Sequence, residues 1–204
     1  MEKKMKRMAT MHRLQVTGLE LFYQQGYYNT SIDDILGKLS LSKGAFYYHF
    51  QSKDDFFISI IQNLVVQKVY GTLVQPIEGK EDPFTAIAQC FEVSLETAEH
   101  NELDRGFVLS NFMAEFKGKN PEIMEYFKDV LKVWEVNLIS SLQKGKSDGY
   151  VDRHVDSSAV ATYLISSYIG IRALMVEGNC RTLRYKYMMQ LRHYFKMLAN
   201  KETA

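Results

Sequence analysis

Apolar side chains recur every three or four residues along most of the chain, a spacing that is typical of amphipathic helices. In the first such stretch Leu14, Gly18, Leu21 and Phe22 fall on one helical face. No runs rich in Val, Ile or Thr alternate with turn clusters, and Pro occurs only 3 times in 204 residues. The pattern therefore predicts an all-α chain.

Capping residues and helix breakers divide this pattern into nine helices: three in an N-terminal head, one connecting helix and five in a body. Thr30 and Ser31 both fit the start of the second helix, since each has an Asp three residues later. Gly26 is expected to end the first helix in a left-handed conformation, and Gly18 predicts the close approach of a neighbouring helix. Residues 1–8 are expected to form a frayed basic tail, and residues 145–156 a polar loop. The helices are expected at about 9–25, from 30 or 31, from a cap at Ser42, and at 52–75, 83–100, 107–116, 121–143, 157–177 and 182–199, with turns at 101–106 and 178–179. We assign residues 1–51 to a head domain and residues 52–204 to a body domain.

Composition is that of an ordinary globular protein, with 46% hydrophobic and 24% charged residues and a net charge of +1. The charge is unevenly distributed, because residues 1–55 hold eight Lys and Arg against six Asp and Glu. A net charge of +2 on the head permits binding to nucleic acid but does not by itself indicate it.

Several classes of protein are disfavoured by the residues present. Cys90 and Cys180 are far apart, which favours buried thiols in a reducing cytoplasm over a disulfide framework. The basic N-terminus lacks a following apolar run, so we expect no signal peptide, and the most apolar stretch, 159–176, is too polar and short to span a membrane. The five His show no paired spacing, and no nucleotide-binding glycine motif or nucleophile elbow occurs. We expect no metal, cofactor or catalytic residue.

The stretch from Thr30 to Phe57 has the pattern of a helix-turn-helix, in which one helix enters the major groove of DNA and another braces it. Phe46 and Phe50 are four residues apart and predict the buried side of the groove-entering helix. Short residues let a backbone come close to base edges, and cationic or hydroxyl groups suit phosphates. The short residues are Ser42, Gly44 and Ala45, and the phosphate-binding candidates are Lys43, Tyr47, Tyr48, His49 and Lys53.

The segment from about Leu14 to Phe57 resembles the DNA-binding head of the TetR (tetracycline-repressor) family. The matching residues are Leu21-Phe22, Gly26-Tyr27, Thr30-Ser31, Asp34-Ile35, Ser42-Lys43-Gly44, Phe46-Tyr47, His49-Phe50 and Ser52-Lys53. The resemblance implies a two-domain, all-α homodimer that binds double-stranded DNA. It also implies DNA-facing roles for Ser42, Lys43, Gly44, Ala45, Tyr47, Tyr48, His49 and Lys53, with Thr30 near a phosphate.

The body is rich in aromatic residues between positions 84 and 134, which fits either core packing or the apolar lining of a ligand pocket. A pocket also needs a few polar groups that converge on it. The predicted pocket residues are Phe91, Phe107, Phe112 and Trp134 as apolar lining, with Asn111, Glu115, Tyr163, Tyr168 and Arg172 as polar groups. Some family members carry an electrophile-sensing cysteine in a similar stretch, but position 107 here is Phe.

The last two predicted helices are candidates for a dimer interface. Ala159, Ser166, Ser167 and Gly170 are small enough to let another helix approach closely, and the final helix carries an apolar stripe. The stripe consists of Leu183, Tyr187, Leu191, Tyr194 and Leu198.

These patterns together predict a ligand-responsive repressor that binds a palindromic operator as a homodimer and is released by a small apolar or amphipathic effector. Three alternatives remain open: a constitutive DNA-binding protein without a ligand, a transcriptional activator, and an enzyme with an appended helix-turn-helix.

Overall fold

Nine helices make up the part of the chain that the computed structural model describes, which is residues 2–101, 106–177 and 179–200. They are α1 (Glu2–Gln25), α2 (Ile32–Leu39), α3 (Lys43–Tyr47), α4 (Lys53–Val74), α5 (Pro83–Asn101), α6 (Val108–Phe116), α7 (Pro121–Ser147), α8 (Ser157–Leu174) and α9 (Cys180–Leu198). The predicted all-α class and the order of the helices are confirmed. Residues 102–105 of the turn predicted before α6, and Gly178 of the turn predicted after α8, lie outside the described residues.

The chain forms two compact units. The first comprises residues 1–67 and 108–129, and the second comprises residues 68–107 and 130–204. The unit that contains the head is therefore larger than the predicted domain of residues 1–51, since it also takes in much of α4, all of α6 and the start of α7. The position of the functional domain boundary stays a prediction.

In the first unit, α1 and α4 meet at Gly18, where the sequence predicted a close approach. A Cβ atom at Gly18 would lie 2.5 Å from Cζ of Phe56 and 3.1 Å from Cδ1 of Ile60. The Phe56 ring also contacts the rings of Phe46 and Phe50, at centroid distances of 5.2 and 4.7 Å. The position of α3 therefore depends on how closely α4 approaches α1.

The first helix begins at Glu2, seven residues before the predicted start at Ala9. The prediction of a frayed basic tail was wrong. Residues 2–8 contain no Gly, Pro or β-branched residue, and Lys, Arg, Met and Glu all have good helix propensity. Basic composition alone was therefore a poor indicator of disorder.

The long helix α4 is not regular throughout. Residues 61–65 and 70–74 form wider turns with bonds from residue i to i−5, such as the one from the N–H of Gln75 to the carbonyl of Tyr70 at 2.8 Å. Among the described helices, α4 has the length and apolar character of a possible membrane span, which core helices also have. Phe56, Phe57 and Ile60 are fully buried in the protein, as expected of a core helix.

In the second unit, α7 runs to Ser147, although a loop was predicted from Gly145. Gly145 stays helical because it packs tightly: a Cβ there would lie 2.5 Å from Cγ of Pro83 and 2.8 Å from Cγ2 of Val151. The low helix propensity of Gly145 is thus offset by close packing, as it is at Gly18.

Helices α5, α8 and α9 pack together in this unit. Phe84 of α5 stacks on Phe195 of α9 with ring centroids 4.8 Å apart. The stripe on α9 that was predicted to form part of the dimer interface is partly covered inside the subunit, since Leu183, Tyr187, Tyr194 and Leu198 are half-buried. Leu191 is buried, and the hydroxyl of Tyr187 lies 3.1 Å from Oγ of Ser167 on α8. Helical spacing identified an apolar face but could not show which neighbour covers it.

Replacing Gly18 with Ala should destabilise the protein. Overpacking against Phe56 costs about 1–3 kcal/mol, which exceeds the gain of about 1 kcal/mol in helix propensity. Gly37→Ala is the matched control, because this glycine is also helical but a Cβ there would meet no other atom within 4 Å. Thermal unfolding should show a lower Tm for Gly18→Ala and an equal or higher Tm for Gly37→Ala. An unchanged Tm for Gly18→Ala would contradict the close approach.

Candidate nucleic-acid interface and aromatic cluster

The α2–α3 pair is built on local capping interactions. Ser31 starts α2 in a capping box, in which the N–H of Asp34 donates to Oγ of Ser31 and the N–H of Ser31 donates to Oδ2 of Asp34, at 3.1 and 2.7 Å. The hydroxyl of Ser31 also donates to Oδ2 of Asp34 at 2.6 Å, and this bond, followed by the one from the Ser31 N–H, lowers the pKa of Asp34. Ser42 caps α3 in a similar way, since its Oγ accepts from the N–H of Ala45 at 3.3 Å. Of the two predicted caps for α2, the structure therefore uses Ser31.

Between these helices the chain turns at Ser40, which has a left-handed backbone with φ of 52°. This conformation costs a non-glycine residue roughly 1–2 kcal/mol. Its N–H donates to the carbonyl of Gly37 at 3.3 Å, and the N–H of Leu41 donates to that of Leu36 at 3.1 Å. The turn is thus held by backbone bonds despite the lack of a glycine.

One side of α3 is exposed and the other is anchored. Phe46 and Phe50 are buried, whereas Tyr47 and Tyr48 are 58% and 63% exposed. The remaining predicted DNA-facing residues of this segment range from exposed to half-buried: Ser42, Lys43 and Gly44 are exposed, and Ala45 and His49 are half-buried. The exposed side thus combines short residues near the N-terminus of α3 with two aromatic hydroxyls near its end.

Lys43 is available for phosphates although it has a partner. Its ammonium lies 2.9 Å from Oδ2 of Asp33, and both side chains are about two-thirds exposed. The hydrogen bond and charge of Asp33 raise the pKa of Lys43, so the ammonium is charged. Exposed ion pairs of this kind add little stability and exchange readily.

Two residues predicted to lie at the DNA have hydrogen-bond partners inside the protein. The Thr30 side chain is buried, and its hydroxyl donates to the carbonyl of Gly26 at 2.8 Å. The ammonium of Lys53 donates to the carbonyl of Tyr27 at 2.6 Å and lies 4.1 Å from the centre of the Tyr27 ring. Partial burial lowers the pKa of Lys53. Both residues shape the turn after α1, and the partners that hold them are 4 to 26 residues away in the chain.

That turn is also clamped from α6. The two carboxylate oxygens of Glu115 accept from the backbone N–H groups of Tyr27 and Tyr28, each at 3.0 Å. Gly26 leaves room for this carboxylate, because a Cβ there would lie 3.0 Å from Oε1 of Glu115. Phe116 adds a ring contact with Tyr27 at 4.8 Å. We call this arrangement the Glu115 clamp.

The N-terminal end of α4 completes the surroundings of Tyr27. The Tyr27 hydroxyl donates to Oδ1 of Asp54, and the other carboxylate oxygen of Asp54 accepts from the side-chain amide of Asn120 at 3.2 Å. Burial, followed by the hydrogen bond to Asp54, raises the pKa of Tyr27 far above its ordinary value. Tyr27 is therefore a neutral donor under all physiological conditions.

In the second unit, five of the nine predicted pocket residues come together. The Tyr168 ring lies 4.8 Å from Phe91, 5.6 Å from Phe107 and 5.5 Å from Trp134, measured between ring centroids. The guanidinium of Arg172 lies 5.7 Å from the centre of the Phe107 ring and donates to the carbonyl of Gly106 at 2.5 Å. We call Phe91, Phe107, Trp134, Tyr168 and Arg172 the aromatic cluster.

Polar atoms are buried within the aromatic cluster. The Tyr168 hydroxyl pairs with Oγ of Ser94 at 2.7 Å, and burial raises the pKa of Tyr168. The indole N–H of Trp134 is buried and has no hydrogen-bond partner among the described residues. A buried donor without a partner costs about 1–3 kcal/mol, so a ligand that supplies an acceptor would be favoured there.

Four predicted pocket residues lie outside the aromatic cluster. Asn111 and Tyr163 are exposed, and Glu115 belongs to the clamp described above. Phe112 packs in the first unit against Phe57, with ring centroids 5.0 Å apart. Residues 108–116 form one helix, and Phe112 and Phe116 lie on its buried side, which explains why Asn111 cannot share their direction.

The thiol of Cys90 is buried and weakly acidic. Burial raises the pKa of the Cys90 thiol to about 12, which disfavours the thiolate form that reacts with electrophiles. Neither Cys90 nor Cys180 forms a disulfide. Within the described residues, no group of three or more His, Cys, Asp or Glu is arranged to hold a metal ion.

Some features were missed from the sequence. Ser94 lies 74 residues from its partner Tyr168, and Glu115 lies 88 residues from Tyr27, so no local pattern marks either contact. A groove of about 540 Å³ between α5 and α9, bordered by Phe84 and Arg192, was not predicted either. The contact of Arg7 with Tyr48 was not predicted, because the N-terminus was expected to be frayed.

Comparison with known proteins agrees with this architecture. Residues 16–60 match the bacterial regulatory proteins of the tetR family, and residues 83–182 match the tetracyclin repressor-like C-terminal domain. An uncharacterised HTH-type transcriptional regulator in the lacX 3′ region of Lactococcus lactis subsp. lactis is 39% identical over 133 residues, which cover 63% of this chain and 68% of that protein. The HTH-type transcriptional repressor DhaR of Mycobacterium sp. (strain GP1) is 24% identical over 183 residues, 86% of this chain and 87% of that protein.

The fold is also that of solved structures. A TetR transcriptional regulator from Chloroflexus aurantiacus J-10-FL superposes with a TM-score of 0.85 at 23% identity, covering 95% of this chain and 98% of that one. The matches to both domains, the related sequences and the shared fold lead to one conclusion. This chain belongs to the TetR family of helix-turn-helix transcriptional regulators.

Proposed function

We propose that the protein is a repressor that binds a palindromic operator as a homodimer in the cytoplasm and is released by a small effector bound at the aromatic cluster. Its family consists of transcriptional regulators, which excludes the enzyme alternative. The observation that carries the proposal is the course of α6. The chain leaves the aromatic cluster at Phe107, enters α6 at Val108, and reaches the Glu115 clamp at the end of that helix.

The DNA-binding part of the proposal rests on the exposed side of α3. Gly44 is exposed, and only Oγ of Ser42 lies within 4 Å of where its Cβ would be, so the backbone there is open to a close partner. Ser42, Lys43, Gly44, Ala45, Tyr47, Tyr48 and His49 remain our proposed DNA-facing residues. Thr30 and Lys53 are proposed to support them by holding the turn after α1.

Dimerisation is proposed through α8 and α9. A helix as short as α3 reads too few bases for a specific site, and a two-fold dimer doubles the reading surface. Ala159, Ser166 and Gly170 lie on the exposed side of α8, where small residues permit close helix contact. On α9 the exposed Tyr185 and Met189 replace the predicted stripe as the candidate surface.

The effector is proposed to be apolar, with a hydrogen-bond acceptor. Four aromatic rings supply apolar surroundings, and the Trp134 N–H supplies a donor that needs a partner. The positive charge of Arg172 disfavours a cationic ligand. Repression rather than activation is proposed because the related DhaR is a repressor.

Selection from random-sequence DNA should recover an inverted repeat with half-sites about one helical turn apart, since each α3 reads one half-site. Gly44→Leu should abolish binding to the selected duplex, because a large side chain blocks close approach to base edges. Gly37→Ala should retain binding, and both variants should keep the far-UV circular dichroism of the native protein. Full binding by Gly44→Leu would remove α3 from the DNA interface.

Fluorescence can follow effector binding directly, because Trp134 is the only Trp in the chain. Neutral aromatic carbonyl compounds that change Trp134 emission should also release the selected duplex. A 100-fold loss of DNA affinity corresponds to about 2.7 kcal/mol, and the duplex must then weaken effector binding by the same factor. A compound that changes Trp134 emission without changing DNA affinity would favour a constitutive DNA-binding protein.

Glu115→Gln should weaken the coupling between the two sites. An amide side chain keeps one acceptor but turns an NH₂ group towards a backbone N–H, which costs about 1–3 kcal/mol. We expect a lower Tm and an effector affinity that depends less on DNA, while effector affinity without DNA stays unchanged.

The matched control for this experiment is Glu125→Gln. Glu125 is exposed in the same unit and pairs only with Lys128 on the surface in the described contacts. This variant should retain both the native Tm and the native dependence of effector affinity on DNA. Native coupling in Glu115→Gln would exclude the clamp from the response to the effector.

A further inference from the structure

The helix-turn-helix itself has a negative net charge. Residues 20–55 hold three Lys and Arg against five Asp and Glu. Residues 3–19, in contrast, hold five Lys and Arg and no acidic residue. All five of these cations precede residue 16, where the match to the TetR head begins. The positive charge that favours binding to phosphates therefore lies in the first part of α1.

The cations of the helix-turn-helix are also partly engaged within the protein. Lys53 donates to the carbonyl of Tyr27, and Lys43 pairs with Asp33. Each phosphate that a protein neutralises contributes strongly to DNA affinity at low salt. The exposed Lys38 and Lys43 are outnumbered by the acidic residues of the same segment, so another source of positive charge near α3 would strengthen the attraction for phosphates.

The structure brings the first part of α1 to that position. The guanidinium of Arg7 lies 5.1 Å from the centre of the Tyr48 ring, and Tyr48 is 63% exposed at the end of α3. Burial and then the charge of Arg7 lower the pKa of the neighbouring His49, in agreement with this proximity. Lys6 and Arg7 are both exposed. The N-terminal turns of α1 therefore run beside the exposed side of α3.

We propose that the N-terminal turns of α1 form a second DNA-binding surface, in which Lys6 and Arg7 bind backbone phosphates next to the bases that α3 faces. The Tyr48 ring orients the Arg7 guanidinium through a cation–π contact. This surface adds affinity without sequence preference, because phosphates carry no base identity. It requires only that the head binds DNA, so it applies equally to a repressor and to an activator.

A membrane surface is the competing partner. Met5 and Met8 are 66% and 56% exposed beside Lys6 and Arg7, and basic helices with exposed apolar residues bind anionic lipids. The contact of Arg7 with Tyr48 favours DNA, because it aligns the basic segment with the exposed side of α3 rather than with a separate surface.

The test measures the salt dependence of binding to two duplexes, the one selected from random-sequence DNA and one of shuffled sequence. The variants are Lys6→Ala, Arg7→Ala and the double variant in the full chain. Each lost phosphate contact should reduce the slope of log K against log salt by about 0.9 per chain and lower affinity roughly eightfold near 0.1 M salt. Lys80→Ala removes one positive charge from an exposed residue of the second unit and is the matched control.

We expect both single variants to bind the two duplexes more weakly by similar factors, with unchanged Tm because the side chains are exposed. Arg7→Lys should have a slope of log K against log salt close to that of the native protein, since it keeps the charge. Tyr48→Ala should reduce this slope in part, since it removes the ring that orients Arg7. An unchanged slope in the double variant would overturn the proposal. An equal loss in Lys80→Ala would overturn it too, because net charge alone would then explain the effect. Loss of binding to phosphatidylserine vesicles without loss of DNA binding would assign the surface to a membrane instead.

Discussion

The close approach of α1 and α4 at Gly18 is the constraint on which the DNA-binding head depends. Phe56 can occupy its position only because Gly18 has no side chain, and Phe56 in turn contacts Phe46 and Phe50. These two rings anchor one side of α3 and leave Tyr47 and Tyr48 exposed on the other. A helix of five residues has little stability of its own, so its geometry is set by this aromatic packing.

The charged residues of the head have two different roles. Some hold the turn after α1 in position, and others supply the attraction for DNA. Lys53 is held by the carbonyl and ring of Tyr27, and Asp54 binds the hydroxyl of the same residue. These charges fix the turn between α1 and α2 and are not free to supply net attraction for DNA. The N-terminal turns of α1 carry the surplus of positive charge, which explains how a chain with a net charge of +1 can bind a polyanion.

Features set by neighbouring residues were predictable from the sequence. The cap at Ser42 and the left-handed Gly26 depend on residues within four positions and were predicted, and Ser31 was one of two predicted caps for α2. The inward direction of Lys53 was not, because a lysine beside a capped helix has the same local pattern whether it faces DNA or Tyr27. All five residues of the aromatic cluster were among the predicted pocket residues. Helical spacing could not show, however, that Phe112 belongs to the first unit and Phe107 to the second. The buried Thr30 shows the same limit, since two adjacent residues fitted one cap.

The hydrogen bonds of the Glu115 clamp have a strength that fits its role in the proposed mechanism. Hydrogen bonds to a charged group contribute about 1.5–3 kcal/mol each, and the clamp has two of them. A response of about 100-fold in DNA affinity requires about 2.7 kcal/mol, so loss of the clamp alone is large enough to account for it. A much stronger link would not open when a small molecule binds, and a much weaker one would not hold the turn. Only the nine residues of α6, from Val108 to Phe116, separate the aromatic cluster from the clamp along the chain, which is why the proposed mechanism assigns the link to this helix. In the proposed mechanism, the turn after α1, rather than α3 itself, is the first part of the head to respond to an effector.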